Sequence, residues 1–415
     1  MSGSAVVVGG GAIGVACAYE LRASGWDVTL VERDEIGRGA SYANAGLVVP
    51  SHSQPLNAPG AVREGLRHML RRGGPFRIRP GTALSLAGWL WRFARTSSAE
   101  HAARGYALMA ELGRASLGRY DELYRAGEAE GPYRRSPLLH AYLSEDAVRA
   151  SRAEAEELDS QSFRVRLLDG DEARDLEPAL APSVRGALLV DDQAVGDCYG
   201  FVRSLAASFE RLGGRIVRRR PVFRIAAPSG VVRGVLLGSP GDRIRADLVV
   251  LASGAWAPRL AKDLGLRLPI VPARGYSTTV PISDAAPTIP VMFEERRVIL
   301  TPLGDRLRFA GTLELAGYDA PPDPVRQRAV VNGGQEVLAT PVDVAGAEEW
   351  SGLRPLSVDG LPIIGRVPGI EGLVVAAGHG MLGYTQAPIT GKLVAEIAAG
   401  GPTSVDVEPF RPDRF

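Results

Sequence analysis

"VVVGGGAIGVACAYEL", residues 6–21, sets three consecutive glycines between a run of valines and a stretch of helical periodicity. Ala5–Val8 is a short, continuous apolar run, suited to a strand buried on both faces. Gly9-x-Gly11-x-x-Gly14 follows at once, and Ile13, Ala16, Cys17, Glu20 and Leu21 then recur at helical spacing up to a stop at Gly25. A second strand, Val28–Val31, ends at Glu32. This order reads as a dinucleotide-binding unit. Gly9 permits the sharp turn, Gly11 lets the backbone approach a pyrophosphate, and Gly14 lets the helix pack close to the sheet. The helix start at Ala12 and Ile13 then turns free N–H groups and a favourable dipole toward the anion. Glu32, with Arg33 beside it, is placed for a ribose 2′-hydroxyl, which favours FAD or NAD over NADP. A buried strand–turn–helix with glycines for packing alone would not need the terminal acid.

The remaining composition narrows the class. At 415 residues the chain is long enough for two domains or for one large α/β unit with an insertion. A hydrophobic fraction of 45% and a formal charge of +1 argue against a disordered chain and against a nucleic-acid binder. Lys262 and Lys392 are the only lysines, so nearly all positive charge is arginine, a bias that fits genome composition. Cys17 and Cys198 are too few for a disulfide framework or a cysteine-rich metal site, and no metal is expected. No basic stretch followed by an apolar one marks a secretory signal, and no apolar run approaches the roughly 20 residues of a membrane span. The expectation is a cytoplasmic protein in a reducing compartment.

Further along, "RDEIGRGASYANAGLVVP" (33–50) offers Ser41, Asn44, Ala45, Gly46 and Leu47, small and polar residues running into an apolar stretch. Alone they fit either a pyrophosphate or ring-system contact or a capped surface helix. At the other end, Leu373–Ala377 is an apolar strand, Gly378–Gly383 a glycine-rich turn, and a helix runs from about Thr385 through Leu393, Ile397 and Ala398. This second strand–glycine loop–helix unit points another helix N-terminus, around Gly378, Gly380, Met381, Leu382, Gly383, Tyr384 and Thr385, at a ligand.

Together, "GGGAIGVACAYELRASGWDVTLVERD", "GASYANAGLV", "PARGYSTTVPI" (272–282), "WSGLRPLSVDGLPIIGRVP" (350–368) and "LVVAAGHGMLGYTQAPITGKLVAEI" (373–397) resemble the FAD-dependent amino-acid oxidoreductase family. That family includes D-amino-acid oxidases, glycine and sarcosine oxidases and bacterial D-amino-acid dehydrogenases. "SYANAG", "LNAPG" and "PARGYSTTVPI" are most similar to the dehydrogenase branch. The resemblance implies an α/β protein: a Rossmann-like FAD-binding domain of the glutathione-reductase type, and a discontinuous α+β substrate domain on an antiparallel sheet. It divides the chain into 1–55, 191–265 and 350–415 for FAD and 56–190 and 266–349 for substrate. It also places the Val222 backbone near the adenine, Ser253 and Gly254 near the pyrophosphate, and the C-terminal glycine loop at the flavin's pyrimidine edge.

The reaction implied is transfer of hydride from the α-carbon of an amino acid to flavin N5, the imine product hydrolysing to a 2-oxo acid or remaining cyclic. Electrons then pass to a quinone or another acceptor, a partner protein included. A substrate α-carboxylate calls for a planar bidentate donor, which arginine supplies and lysine does not. Arg354 in "GLRP" matches the family's clamp, and Tyr276 in "RGYS" is the candidate hydroxyl. Arg274, Arg308, His379 and Tyr384 are weaker substrate candidates; His379 can be read as a base or, among its glycines, as a loop residue. The sarcosine-oxidase branch tethers its flavin through a late cysteine and uses a lysine toward oxygen. This chain has no cysteine beyond Cys198, and Arg308 stands about where that lysine would fall. Non-covalent FAD and a dehydrogenase are therefore expected. The alternatives are a glycine, sarcosine, D-proline or D-hydroxyproline oxidase or dehydrogenase and, from another class, a non-catalytic flavoprotein subunit of a larger complex. Residues 63–95, rich in arginine and carrying Trp89, Trp91 and Phe93, read either as a cap helix with its aromatics packed inward or as a peripheral membrane or partner contact at the inner face of the cell membrane.

Overall fold

The structure is a computed structural model, and it describes residues 3–52, 74–238 and 241–415. Two sheets organise it. The first has six strands in the order Arg215–Val217, Asp27–Val31, Ser4–Val8, Leu248–Leu251, Leu373–Ala377, Ile363–Arg366. All neighbours are parallel except the last pair. The inner strands are buried along their length, as their unbroken apolar runs require. The helices Ala12–Ala23 and Gly383–Ala399 lie against each other on this sheet. They approach so closely that a Cβ on Gly391 would sit 2.5 Å from the Ala16 carbonyl oxygen. Both glycine loops thus open at the same end of one sheet.

The second sheet has nine strands, mostly antiparallel. Its main path runs Glu348–Ser357, Ile270–Pro281, Arg306–Leu315, Val298–Leu303, Val291–Phe293, Leu138–Tyr142, Gly186–Val190, Val165–Asp169, and Phe76–Ile78 adds to the third of these. A core of its own, including Tyr276, Phe293, Leu300 and Phe309, fills the face away from the nucleotide half. Two expected boundaries move. Glu348–Ser357 belongs to this sheet, in ten-residue register with Ile270–Thr279, although 350–415 was expected wholly in the FAD domain. The helix Ala99–Arg125, expected in the substrate domain, buries Met109, Leu112, Tyr120 and Leu123 in the core of the nucleotide half. In both cases the chain crosses between sheets inside a motif, where no break in composition marks the crossing.

Of residues 63–95, residues 63–73 lie outside the described residues. The helix Pro80–Arg95 turns Trp89 and Phe93 inward, stacked 5.1 Å apart, and Trp89 donates to the Pro269 carbonyl (3.0 Å). Trp91 and Leu84 face outward. Among the described residues no helix is long and apolar enough to cross a membrane.

Candidate functional site

A cavity of about 1200 Å³ runs between the two sheets. At its nucleotide end stand Gly9, Gly11, Ala12, Ile13, Glu32 and Arg33, then Ser41, Asn44, Ala45, Gly46 and Leu47. Val222, Ser253 and Gly254 border it, as do Gly380, Met381, Leu382, Gly383, Tyr384 and Thr385. Two of the predicted cofactor residues, Gly14 and Gly378, do not line it. A Cβ on Gly14 would meet the Gly9 carbonyl oxygen at 1.8 Å, so this glycine serves helix-to-strand packing, and Gly378 (φ +77°) forms the turn. Ser41 Oγ accepts from the Ala12 N–H (3.0 Å), and Asn44 Oδ1 accepts from Gly46 N–H (2.9 Å). Thr385 Oγ1 bonds the backbone of Val49 and Leu47, tying the second helix start to that loop. Arg33 stacks on Trp256 (3.8 Å) beside Glu32. An acid at the second strand's end, two helix starts whose own cap residues supply no side-chain bond and glycines that admit no side chain fit an elongated dinucleotide.

At the other end Arg354 reaches over Gly275. A Cβ there would lie 2.2 Å from the guanidinium carbon, so the glycine of "RGYS" is the space the arginine occupies. Arg354 Nη1 donates to the Thr312 carbonyl (2.7 Å). Thr312 sits at φ +57°, where the pairing of Arg306–Leu315 with Ile270–Pro281 slips by one residue. This bulge bends the strand locally at the residue whose carbonyl holds the guanidinium. No carboxylate of the described residues lies within ion-pair distance of Arg354, and burial alone pulls its pKa down to about 10. It stays charged at neutral pH and wants an anion.

Five other predicted residues are placed differently. Tyr276 borders the cavity, but its hydroxyl donates to Glu314 Oε2 (2.6 Å) and accepts from Asp323 N–H (3.0 Å). Strand alternation sends it to the face opposite Arg354, so it is a core residue and not a substrate hydroxyl. Arg274 shares that face, bonding Ser351 Oγ (2.9 Å) and the Ala320 carbonyl (2.7 Å). Arg308, 1% exposed, donates to Thr279 Oγ1 and to the Asn44 carbonyl, where it anchors the nucleotide loop. Tyr384 packs its ring between Tyr120 and Phe201. His379 lines the cavity, but Nε2 bonds Thr390 Oγ1 (3.0 Å), and burial pulls its pKa to about 3, so it is neutral. It is a loop residue. Sequence reasoning missed Thr312 and the polar groups His52, His140, Glu154 and Glu294, which come from a loop, a strand, a helix and a turn and share no local pattern.

The fold and cavity define a dinucleotide-binding protein with a nucleotide-binding half and a substrate sheet. Comparison with known proteins makes this specific. Residues 4–397 match the model of the FAD dependent oxidoreductase family. A D-amino acid dehydrogenase of Rhizobium johnstonii is 32% identical over 416 residues, covering 99% of each chain. Among solved structures, glycine oxidase from Geobacillus kaustophilus superposes with a TM-score of 0.77 at 25% identity, over 100% of this chain and 99% of that one. L-Proline dehydrogenase from P. horikoshii superposes with a TM-score of 0.78 at 19% identity, over 100% and 98%. The chain belongs to the FAD-dependent oxidoreductase family, and FAD is its cofactor.

Proposed function

We propose that this protein oxidises the α-carbon of D-amino acids and passes the electrons to a quinone or a partner protein. The observation that carries this reading is Arg354, a cavity-lining guanidinium held by one carbonyl and lacking an acidic partner among the described residues. It binds the substrate carboxylate in a bidentate pair, which fixes the α-carbon against the cofactor. Bound FAD supplies the two-electron acceptor. Phe76, Ile78, Trp89 and Phe93 roof this end of the cavity and exclude water from it. His379, buried and bonded to Thr390, is not placed as a base; hydride transfer requires only that the substrate amine be uncharged. The FAD is non-covalent: Cys17 and Cys198 are buried and neither borders the cavity.

Glycine and sarcosine fit less well. The cavity floor continues from Arg354 over Ala310, Ile299 and Met292, which is more room than a hydrogen or methyl side chain fills. The sense of chirality is supported by the dehydrogenase relatives. The outward face of Pro80–Arg95 supports peripheral contact at the inner face of the membrane: Leu84 is 92% and Trp91 59% exposed, beside Arg92 and Arg95. Co-sedimentation with anionic vesicles, reduced in Trp91→Ser, tests that contact. The activity is tested by adding single D- and L-amino acids to the yellow holoprotein without oxygen. Bleaching of the flavin band by D-amino acids is expected. A flavin reduced by none of them overturns the reading.

A further inference from the structure

One group in the cavity has no part in clamping a carboxylate or holding FAD. The second sheet presents a row of paired residues toward the nucleotide half: Trp350, Ser277, Ala310, Ile299, Met292 and His140, each opposite the next on the neighbouring strand. Paired residues share a face, and every member but Ser277 lines the cavity. The Ser277 hydroxyl donates to the Ala43 carbonyl of the nucleotide loop, which confirms the direction of that face. The Arg354 guanidinium bonds a carbonyl of the strand Arg306–Leu315. From that strand to the strand of His140 is three steps, or about 14 Å at the usual inter-strand spacing. The middle of this span is apolar, formed by Ala310, Ile299 and Met292. Its far end is not.

There His140 Nδ1 bonds Glu294 Oε1 (2.8 Å) and lies 3.4 Å from Glu154. Arg297 also pairs with Glu294 (2.8 Å), so Glu294 has two cations. Glu154 accepts one hydrogen bond from the Tyr142 hydroxyl (3.1 Å) and shares His140 with Glu294; among the described residues it has no cation of its own. His140 is 3% exposed, yet its Nε2 has no hydrogen-bond partner among the described residues. A buried imidazole edge and a carboxylate short of positive charge thus stand at one place in the cavity wall. The unmade bond of the buried imidazole is costly, and the Glu154 side chain, 39% exposed, opens to the cavity, so together they point to a ligand that completes them.

We propose that Glu154 and His140, with Glu294 orienting His140, bind a cationic group at the end of the substrate side chain, so that the preferred substrates are long basic D-amino acids. This rests on the amino-acid reading given above. With the carboxylate on Arg354, a lysine-length chain crosses the apolar floor and brings its ammonium to Glu154, while Glu294 holds His140 through Nδ1 and the imidazole, once discharged, accepts at Nε2. A metal ion is the weaker occupant. Arg297 already lies against Glu294, and an ion on Nδ1 would leave Nε2–H without the outer partner that metal-binding histidines have.

The titratable and charged groups facing the ligand are Glu154, Glu294, His140, Arg297, Tyr142 and His52, with Glu157 and Tyr106 further along the same cavity wall. Burial keeps His52 neutral, pulling its pKa to about 4. Glu154 is pushed above the usual carboxylate range by burial, and His140 is held above the usual imidazole value by Glu294, against its burial. Binding of a cation therefore tightens as pH rises and Glu154 ionises and His140 discharges.

The test uses holoprotein in EDTA and two unreactive ligands of equal length, 6-aminohexanoate and hexanoate, titrated by calorimetry. The amino compound should bind at least about tenfold tighter, the range for a hydrogen bond to a charged group. Its advantage should grow between pH 5.5 and 8. In Glu154→Gln, with flavin content checked, the ratio should collapse toward one. Equal or tighter binding of hexanoate, no measurable binding of either, or a ratio untouched by Glu154→Gln overturns the proposal. The underlying reading fails separately, when no amino acid of any side chain bleaches the flavin.

Discussion

The two halves of this molecule encode their sites in different ways. In the nucleotide half each glycine loop is continuous: Gly9, Gly11 and Gly14 stand within one turn, with Glu32 one strand later. In the substrate half, Arg354, Gly275 and Thr312 come from three strands and meet only because the register aligns them. The first kind of site is set by local backbone geometry, the second by strand pairing. Mutations should expose the difference: a change in the nucleotide half removes the cofactor, whereas a change on the substrate sheet alters one function and leaves the cofactor bound.

The largest effect is expected for Gly14→Ala. The new Cβ would meet a backbone oxygen at 1.8 Å, and neither the helix nor the strand can give way. The variant should purify colourless or insoluble. Yellow, active protein would break the comparison, because it would mean that the loop tolerates what its geometry forbids. Arg354→Ala comes next. It should retain full flavin absorbance while kcat/KM for D-amino acids falls by about 10²–10³-fold, the usual cost of removing one member of a desolvated charge pair. A loss of flavin in this variant would show that the two halves are not separable.

Tyr276→Phe sharpens the comparison within the substrate sheet, since Tyr276 and Arg354 lie on opposite faces. Glu314 is fully buried, and it would lose the tyrosine while keeping Arg79 at 2.8 Å. Stability should drop by about 1–3 kcal/mol in urea denaturation, with KM changed by less than about twofold. A tenfold rise in KM would restore the hydroxyl to the substrate.

The same contrast explains what was legible in the sequence. The strand–glycine–helix units, the acid and the fold class could be read because each is a local pattern with a local physical cause. Arg354 was singled out because a carboxylate clamp demands its side-chain chemistry and the family resemblance supplied its position; in the structure it lines the cavity. Tyr276 was misplaced for want of one bit of information, the side of the strand it faces, and strand periodicity alone does not say which side is the site. Arg308 and Tyr384 carry the right chemistry, but their partners, Asn44 and Tyr120, are more than 260 residues away in the chain. His140, Glu154 and Glu294 had no signal at all. Each is an ordinary polar residue until the row on the sheet brings them together.

The smallest effect concerns pH. Burial holds His379 neutral in the folded protein, with its pKa near 3 against an ordinary value of 6.5. Between these values the unfolded chain binds the proton and the folded one does not, so the stability His379 contributes is complete above pH 6.5 and declines as pH falls toward 3. From pH 6.5 to 5 that loss is about 2 kcal/mol. His52, with its pKa near 4, acts in the same direction, and Glu294, held near 2 by His140 and Arg297, adds its own loss only below the ordinary carboxylate value of 4.5. His140 runs the other way: its raised pKa stabilises most below pH 6.5 and fades as pH rises through the folded value. His379→Gln keeps a hydrogen-bonding group opposite Thr390 but removes the titration. Its melting temperature should start lower at pH 7.5 and fall less than that of the natural protein on going to pH 5. A parallel fall in both proteins would mean that the acid sensitivity arises elsewhere, with His52 and the Glu294 beside His140 the next places to look.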